Sequence, residues 1–255
     1  MYNFAGDLGK ATFPAAVALL LSILAWRPVV AITSLVGVAV AIVLLALVPQ
    51  RPFSMPREDP SVIEGRDTRG FGLLFIIGAL DTATRMGYLL FLPFLVHGRG
   101  GSSATVGIAL ALLFIGGAFG KATCNWLSER FGVIGSVMAT EAATALLIVV
   151  TLFTPLGAML VVLPLLGIVL NGTSSVLYGT VPELAPGGDA GRAFAIFYTS
   201  VIGSGGIAPI AYGAIADHSS QSIGIVAAGL TAAAIVPLVG ALRPALRRAD
   251  GGGSR

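Results

Sequence analysis

The sequence of 255 residues is 56% hydrophobic and only 11% charged, with a net charge of +3 and a mean hydropathy of +0.93. A soluble domain carries about 25% charged residues, so this chain has too few charges to cover a water-facing surface, and lipid must be its main solvent. Basic residues lie in short clusters between apolar runs, which argues against nucleic-acid binding, and the single cysteine, Cys124, excludes an internal disulfide and a cysteine-based metal site.

The apolar residues fall into eight segments of the length that crosses a bilayer, which is roughly 20 residues. The first competes with a secretory signal peptide, but Asp7 lies where such a peptide is basic, and no small-x-small cleavage site follows. The pattern therefore predicts an all-α integral membrane protein with about eight transmembrane helices. They cover residues 8–26, 28–48, 70–96, 103–127, 133–153, 156–181, 193–216 and 221–242.

A polar stretch at residues 50–69, with three prolines and mixed charge, separates two predicted helices from six. We expect two transmembrane helices in 1–49, a cytoplasmic linker in 50–69, a six-helix bundle in 70–242 and a basic cytoplasmic tail in 243–255. Cytoplasmic loops are enriched in Lys and Arg, and a cytoplasmic N-terminus leaves only Arg27 and Arg99 in outer loops. The chain should then lie in the cell (inner) membrane with both termini inside. The inner basic residues are Lys10, Arg51, Arg57, Arg66, Arg69, Arg130, Arg192, Arg243, Arg247, Arg248 and Arg255.

Two charges lie near the middle of the third predicted helix. Asp81 and Arg85 share one helical face with Gly78 and Tyr88. A charge at the bilayer centre costs at least ~2.5–3.5 kcal/mol on insertion scales, so it normally faces a cavity or a partner. The pattern indicates a substrate or proton site, and the alternative is a structural ion pair that locks two helices.

The two other intramembrane charges are Lys121 and Glu141, in neighbouring predicted helices. We expect them to form a structural ion pair, because pairing offsets the cost of burial.

Small and polar residues mark helix faces elsewhere. Asn171, Ser174 and Tyr178 form a polar stripe on the sixth predicted helix, together with Ser175. Such a stripe either lines a cavity or supplies hydrogen bonds between helices, and the spacing of Gly116 and Gly120 predicts close helix packing.

Catalytic signatures are missing from the sequence. The only histidines, His97 and His218, lie at predicted outer helix ends, and neither a G-x-S-x-G motif nor a G-x-x-x-x-G-K-[ST] phosphate loop is present. We therefore expect no enzymatic activity, no cofactor and no metal, and active transport would draw on an ion gradient or on another subunit.

The loop after the fourth predicted helix carries a family motif. It is similar to the loop signature of the major facilitator superfamily (MFS), which reads Gly, three residues, Asp-Arg, one residue, Gly. Here Glu129 replaces Asp and Asn125 replaces the first Gly, whereas Arg130 and Gly132 match. The alternative is an ordinary charged turn. The segment reads Asn125-Trp126-Leu127-Ser128-Glu129-Arg130-Phe131-Gly132.

The resemblance implies a fold with twelve helices in two halves, joined by a cytoplasmic loop. The chain would then hold the last two helices of the N-terminal half and the whole C-terminal half, as a truncated chain with a partial MFS fold. The resemblance also implies a secondary active transporter that moves a small-molecule substrate, by uptake or efflux, together with protons. Asn125, Glu129, Arg130 and Gly132 would form the gating loop. The resemblance assigns substrate binding and proton coupling to Asp81, Arg85, Tyr88, Asn171, Ser174 and Tyr178.

Two alternatives remain open from the sequence. The chain is either a transporter whose pathway is completed by missing N-terminal helices or by a second copy, or a non-transporting membrane subunit or inactive remnant of a transporter. The Gly-Pro pair that marks drug antiporters in the fifth family helix is not found in residues 8–26, so the sequence does not specify drug efflux.

Overall fold

The computed structural model describes residues 12–13, 16–21, 23–47 and 68–251, with side chains up to residue 246. These ranges are helical apart from short turns, and six of their helices are long and apolar enough to cross a membrane. The expected all-α membrane fold is thereby confirmed. The helices are α1 (Trp26–Leu47), α2 (Thr68–Gly98), α3 (Ser103–Phe153), α4 (Leu156–Thr180), α5 (Ala190–His218) and α6 (Gln221–Gly251).

The first predicted helix and the linker lie mostly outside the described residues. Of the segment 8–26, residues 16–21 are helical, and α1 begins at its end. Of the segment 50–69, only Thr68 and Arg69 are described, and they open α2. The predicted tail begins inside α6, which continues past residue 242 to Gly251 and contains Pro237 and Pro244. Proline is tolerated in such helices because neighbouring groups satisfy the freed backbone carbonyls.

Helix α3 accounts for two of the predicted membrane spans. Its 51 residues measure about 77 Å at 1.5 Å per residue, more than twice a hydrocarbon core of about 30 Å. Gly132 breaks it, with φ 74° and ψ 165°, a conformation that suits glycine because it has no Cβ. We call residues 103–131 α3N and residues 133–153 α3C. The sequence predicted a loop after Leu127, but the helix continues to Phe131 and one residue makes the break.

Glycines bring α3N and α4 into backbone contact, as their spacing predicted. A Cβ added at Gly116 would lie 2.0 Å from the carbonyl oxygen of Pro164, and one at Gly120 would lie 2.2 Å from that of Ile168. Gly167 on α4 meets α3N in the same way. We call this contact the glycine seam. Without side chains between them, the two backbones pack directly, as small residues allow in membranes.

The core of the bundle is layered along the helix axes. A first apolar cluster contains Leu74, Val137, Leu177, Phe197 and Ile235, and a second contains Tyr88, Leu113, Ile148, Leu163 and Ile225. Between them, α2, α3C and α4 each contribute buried polar residues, which we call the polar layer. It comprises Asp81, Thr82, Thr84, Thr140, Glu141, Thr144, Asn171, Thr173 and Ser174.

Candidate functional site

The polar layer lies near mid-height of the bundle. Asp81 is about 20 Å along α2 from Thr68, at 1.5 Å per residue, in a helix of 31 residues. The apolar clusters on either side separate it from both ends of the bundle. A buried charge at this depth is expensive unless it serves a pathway or is compensated by partners, which makes the polar layer the candidate functional site.

Asp81 and Arg85 form an ion pair that includes α4. The distance from Arg85 Nη2 to Asp81 Oδ2 is 3.7 Å. The Ser174 hydroxyl donates to Asp81 Oδ2 at 3.0 Å and accepts from Arg85 Nη1 at 2.9 Å, while Arg85 Nη2 also donates to Thr82 Oγ1 at 3.1 Å. The serine thus connects acid and base across two helices, and it was one of the predicted site residues.

The accessibility of the two charges differs. The side chain of Arg85 is 16% exposed and that of Asp81 only 4%. The Nε atom of Arg85 has no hydrogen-bond partner among the described residues. The guanidinium therefore has one buried N–H that Asp81, Ser174 and Thr82 leave unpaired.

Glu141 reaches the same site from α3C. It is 2% exposed, and its neighbour Thr140 accepts a hydrogen bond at 2.9 Å from Thr173, the residue next to Ser174 on α4. Asp81 and Arg85 are near enough to Glu141 to act on its charge. The expected pairing of Glu141 with Lys121 stays a prediction.

The other predicted site residues lie at different distances from the ion pair. Tyr178 is half-buried and within electrostatic range of Arg85, and its ring packs edge-on against Phe197 at 5.3 Å. Asn171 donates to the Gly167 carbonyl of its own helix at 3.2 Å. Tyr88 is fully buried in the second apolar cluster. It shares a helical face with Asp81 and Arg85 but lies outside the polar layer.

An open groove runs along the outside of α2 and α5. It has a volume of about 570 Å³ and is lined by Phe75 and Ala79 of α2 and by residues of α5 that include Thr199 and Ser204. The Ser204 hydroxyl donates to the Ala79 carbonyl and joins the two helices at this level. The groove is therefore mainly apolar, and the hydrogen bond from Ser204 to Ala79 lies at its wall.

The motif residues lie around the break in α3. Ser175 of α4 donates to Asn125 Oδ1 at 3.2 Å, and the Arg130 guanidinium lies 5.8 Å from the centre of the Trp126 ring. Glu129 is exposed. Gly132 supplies the positive φ that turns the chain from α3N into α3C.

Sequence reasoning missed two features. It identified Glu141 as an intramembrane acid but did not place it beside Asp81, because the residues are 60 positions apart and the rotation of α3C is set by packing. It also assigned no role to Arg99, which donates to the carbonyls of Thr151 and Leu152 at 2.5 and 3.0 Å. A cation at the end of α3C is favourable because the last carbonyls lack helical partners.

The fold and the buried charges define a multi-pass helical membrane protein, and comparison with known proteins specifies its family. A family model of the Major Facilitator Superfamily matches residues 74–254. Since this is more than half of the chain, the chain belongs to the Major Facilitator Superfamily, a family of membrane transporters.

Comparison with curated proteins gave no match. Among solved structures, the chain is similar to the crystal structure of a mutant of the peptide transporter POT in complex with sulfate. The TM-score is 0.56 and the sequence identity 17%, over 78% of this chain and 40% of the solved chain. At this identity the likeness shows the fold alone, and this chain spans two fifths of the length of that transporter.

Proposed function

We propose that this chain acts in a secondary active transporter that couples the movement of a small anionic molecule to protons. The observation that supports this most directly is the buried Asp81–Arg85 pair, bridged by Ser174 at mid-height of the bundle. Transporters of this kind place substrate and ion sites near the bilayer midplane. The side chain of Arg85 is also the more exposed of the two, at 16% against 4% for Asp81.

The proposed coupling is a competition for Arg85. An anionic group of the substrate binds the guanidinium and displaces Asp81 from it. The released carboxylate then lies in apolar surroundings, where an unpaired charge is costly and the group is neutralised by taking up a proton. Substrate binding and proton uptake are thereby linked at one pair of side chains.

The pathway of such a transporter runs between two helical bundles that rock about the central site. We propose that a second bundle completes it, either as further helices of the same polypeptide or as a second copy of this chain. We also propose a cell-membrane location with both termini in the cytoplasm. The eleven-to-two distribution of Lys and Arg between inner and outer segments supports this orientation, and reporter fusions at Arg255 that report an outside location would contradict it.

Arg130 and Glu129 are proposed to act in gating and not in substrate binding. They lie at the break in α3, where Arg130 packs on Trp126 and Glu129 is exposed. Replacement of Arg130 by alanine should lower turnover several-fold and leave the substrate KM nearly unchanged. A large rise in KM at normal turnover would assign Arg130 to substrate binding instead.

Reconstitution tests the proposed function. The chain, together with the second bundle that completes its pathway, is placed in liposomes with acid outside, and uptake of labelled dipeptides and small organic carboxylates is followed. We expect accumulation that a protonophore abolishes and that Arg85→Gln reduces at least tenfold. Asp217→Asn, which changes an exposed acid at the end of α5, serves as the matched control and should transport normally.

Three results would overturn the proposal. Accumulation that is insensitive to the protonophore would exclude proton coupling. Normal accumulation by the double variant Asp81→Asn/Arg85→Gln, after failure of both single variants, would make the pair structural. Absence of flux for every probe, in protein that is folded, would favour a non-transporting membrane subunit.

A further inference from the structure

The hydroxyl group of Ser174 is used differently from those of two other serines in the bundle. Ser175 and Ser200 each donate at 2.7 Å to a backbone carbonyl of their own helix. Such bonds to the preceding turn are common for serine in a helix. A hydroxyl has only one proton to donate, and Ser174 donates it to Asp81 on α2. The proton of Ser174 is therefore used between helices and not within α4.

The same oxygen lies between the acid and the base of the ion pair. Arg85 Nη1 donates to Ser174 Oγ at 2.9 Å, and Ser174 Oγ lies 3.0 Å from Asp81 Oδ2. The direct distance from Arg85 Nη2 to Asp81 Oδ2 is 3.7 Å, whereas a hydrogen bond of this type measures about 2.7–3.2 Å. Within the described residues, the acid and the base are thus hydrogen-bonded through the serine and not to each other.

The backbone of α2 does not impose this separation. Residues four apart on a helix are neighbours, and an acid followed by a base is the better order for a direct pair. A carboxylate and a guanidinium in direct contact form short charge-assisted hydrogen bonds, often two in parallel. Arg85 instead donates to two neutral hydroxyl groups, those of Ser174 and Thr82. The ion pair is therefore more open than the helix geometry requires.

The position of Ser174 is set by contacts that α4 makes on two sides. The preceding residue, Thr173, is hydrogen-bonded to Thr140 of α3C at 2.9 Å. Asn171 lies against Gly117 at the glycine seam, where an added Cβ would lie 2.9 Å from the Asn171 side chain. Interiors packed this closely leave a helix little freedom to rotate. The serine oxygen is therefore held at the ion pair by the packing of α4.

We propose that Ser174 is a positioning residue that holds Asp81 and Arg85 apart, so that the guanidinium stays open to an anionic group of the substrate. This inference rests on the proposed function and names the residue that sets the affinity of Arg85 for that group. A substrate carboxylate then replaces hydroxyl contacts and a loose ion pair, and not two charge-assisted hydrogen bonds. Without the serine hydroxyl, each charge loses a partner, which is costly when buried. Direct contact between Asp81 and Arg85 supplies both partners again, and the closed pair competes more strongly with the substrate.

Solid-state nuclear magnetic resonance in lipid measures the separation without a substrate. Aspartate carboxyl carbons carry ¹³C, arginine side chains carry ¹⁵N, and the Asp81 signal is the one that disappears in Asp81→Asn. Its dephasing by ¹⁵N reports the distance to the guanidinium, and Arg85→Gln should abolish that dephasing. We expect stronger dephasing, from a shorter distance, in Ser174→Ala than in the wild type. The matched control is Ser200→Ala, the same substitution at a serine that is equally buried at 8% exposure, and it should leave the dephasing unchanged.

Transport kinetics of the reconstituted system supply the functional test. Ser174→Ala should raise the substrate KM several-fold with little change in kcat, because the closed pair competes with substrate binding. Ser174→Thr keeps the hydroxyl group and should restore a KM near that of the wild type. Circular dichroism reports whether each variant is helical. If Ser174→Ala does not fold, Ser174→Cys decides both measurements, because a thiol fills similar space but forms only weak hydrogen bonds.

The outcomes separate this inference from the proposed function. Unchanged or weaker dephasing in Ser174→Ala, or an unchanged KM, would overturn the positioning role and leave the serine as a structural bond between α2 and α4. Stronger dephasing without flux for any probe would show that Ser174 separates the pair and would overturn the transporter. Proton-driven flux that requires Arg85 but is indifferent to Ser174→Ala would do the reverse.

Discussion

Two helix contacts in the bundle differ in what fills them. In the glycine seam between α3N and α4, the backbones touch, and a Cβ at Gly116 would lie 2.0 Å from a carbonyl oxygen. Between α2 and α5, aromatic rings of α5 pack onto glycines of α2. Phe197 lies against Gly78, and Tyr212 lies against Gly87. The open groove of about 570 Å³ lies beside this second contact.

From this difference we predict which helices move. Backbone contact leaves no side chain that could change rotamer, so α3N and α4 form a fixed pair. At the second contact we expect the side chains of α5 to repack more easily, because rings and not backbones fill it. Tyr178, beside Arg85, packs against Phe197 and Tyr198 of α5. Arg85, the more exposed charge of the ion pair, therefore lies near the aromatic contact, whereas Asn171 of the polar layer lies against Gly117 at the seam.

The largest effect should come from adding one methyl group to the seam. Gly116→Ala forces α3N away from Pro164 and should destabilise the protein by about 3 kcal/mol, the upper part of the usual range for overpacking. The matched control is Gly206→Ala on α5, where nothing lies within 4 Å of the added Cβ. That change should be neutral or stabilising by up to about 1 kcal/mol, as alanine is the better helix former.

Thermal unfolding in detergent, followed by circular dichroism, measures both variants. Equal melting temperatures for Gly116→Ala and Gly206→Ala would show that the seam tolerates a side chain and that the fixed pair does not exist.

A smaller effect is expected at the adaptable contact. Ser204→Ala removes the hydrogen bond to the Ala79 carbonyl and should cost about 0.6 kcal/mol, the average for hydrogen bonds between membrane helices. Thr199→Ala, also in the groove, removes only a bond to Ala195 of its own helix and should cost less. Urea or detergent-denaturation midpoints distinguish them, and a loss above about 2 kcal/mol for Ser204→Ala would mean that this contact is as fixed as the seam.

The predictable parts of this structure are those that the lipid environment determines. Backbone groups in a bilayer must be satisfied within a helix, so apolar segments such as 156–181 translate directly into helices such as α4. The pairing of Asp81 with Arg85 was also predictable, since residues four apart on a helix are neighbours. The break between the spans 103–127 and 133–153 was predictable from the polar residues Ser128, Glu129 and Arg130. That the helix continues to Phe131 and that Gly132 alone makes the turn was not.

Contacts between helices are harder to predict because hydropathy is nearly uniform around a lipid-exposed helix. Nothing in the segment 133–153 shows which face of α3C meets α2, so the approach of Glu141 to Asp81 required the structure. Ser174 was identified as polar, but its role as a bridge between acid and base depends on the rotation of α4. The sequence indicated the glycine seam only through the spacing of Gly116 and Gly120. It did not indicate that Pro164 lies opposite Gly116.

The central claim is that Asp81 carries the proton whose uptake is linked to substrate binding at Arg85. Asp81→Asn tests it most directly, because asparagine is close in size to the protonated acid but does not release a proton. In liposomes this variant should still exchange internal for external labelled substrate at a rate near that of the wild type, yet fail to accumulate substrate against a gradient. If Asp81→Asn accumulates substrate as the wild type does, Asp81 is not the coupling residue and the account is wrong.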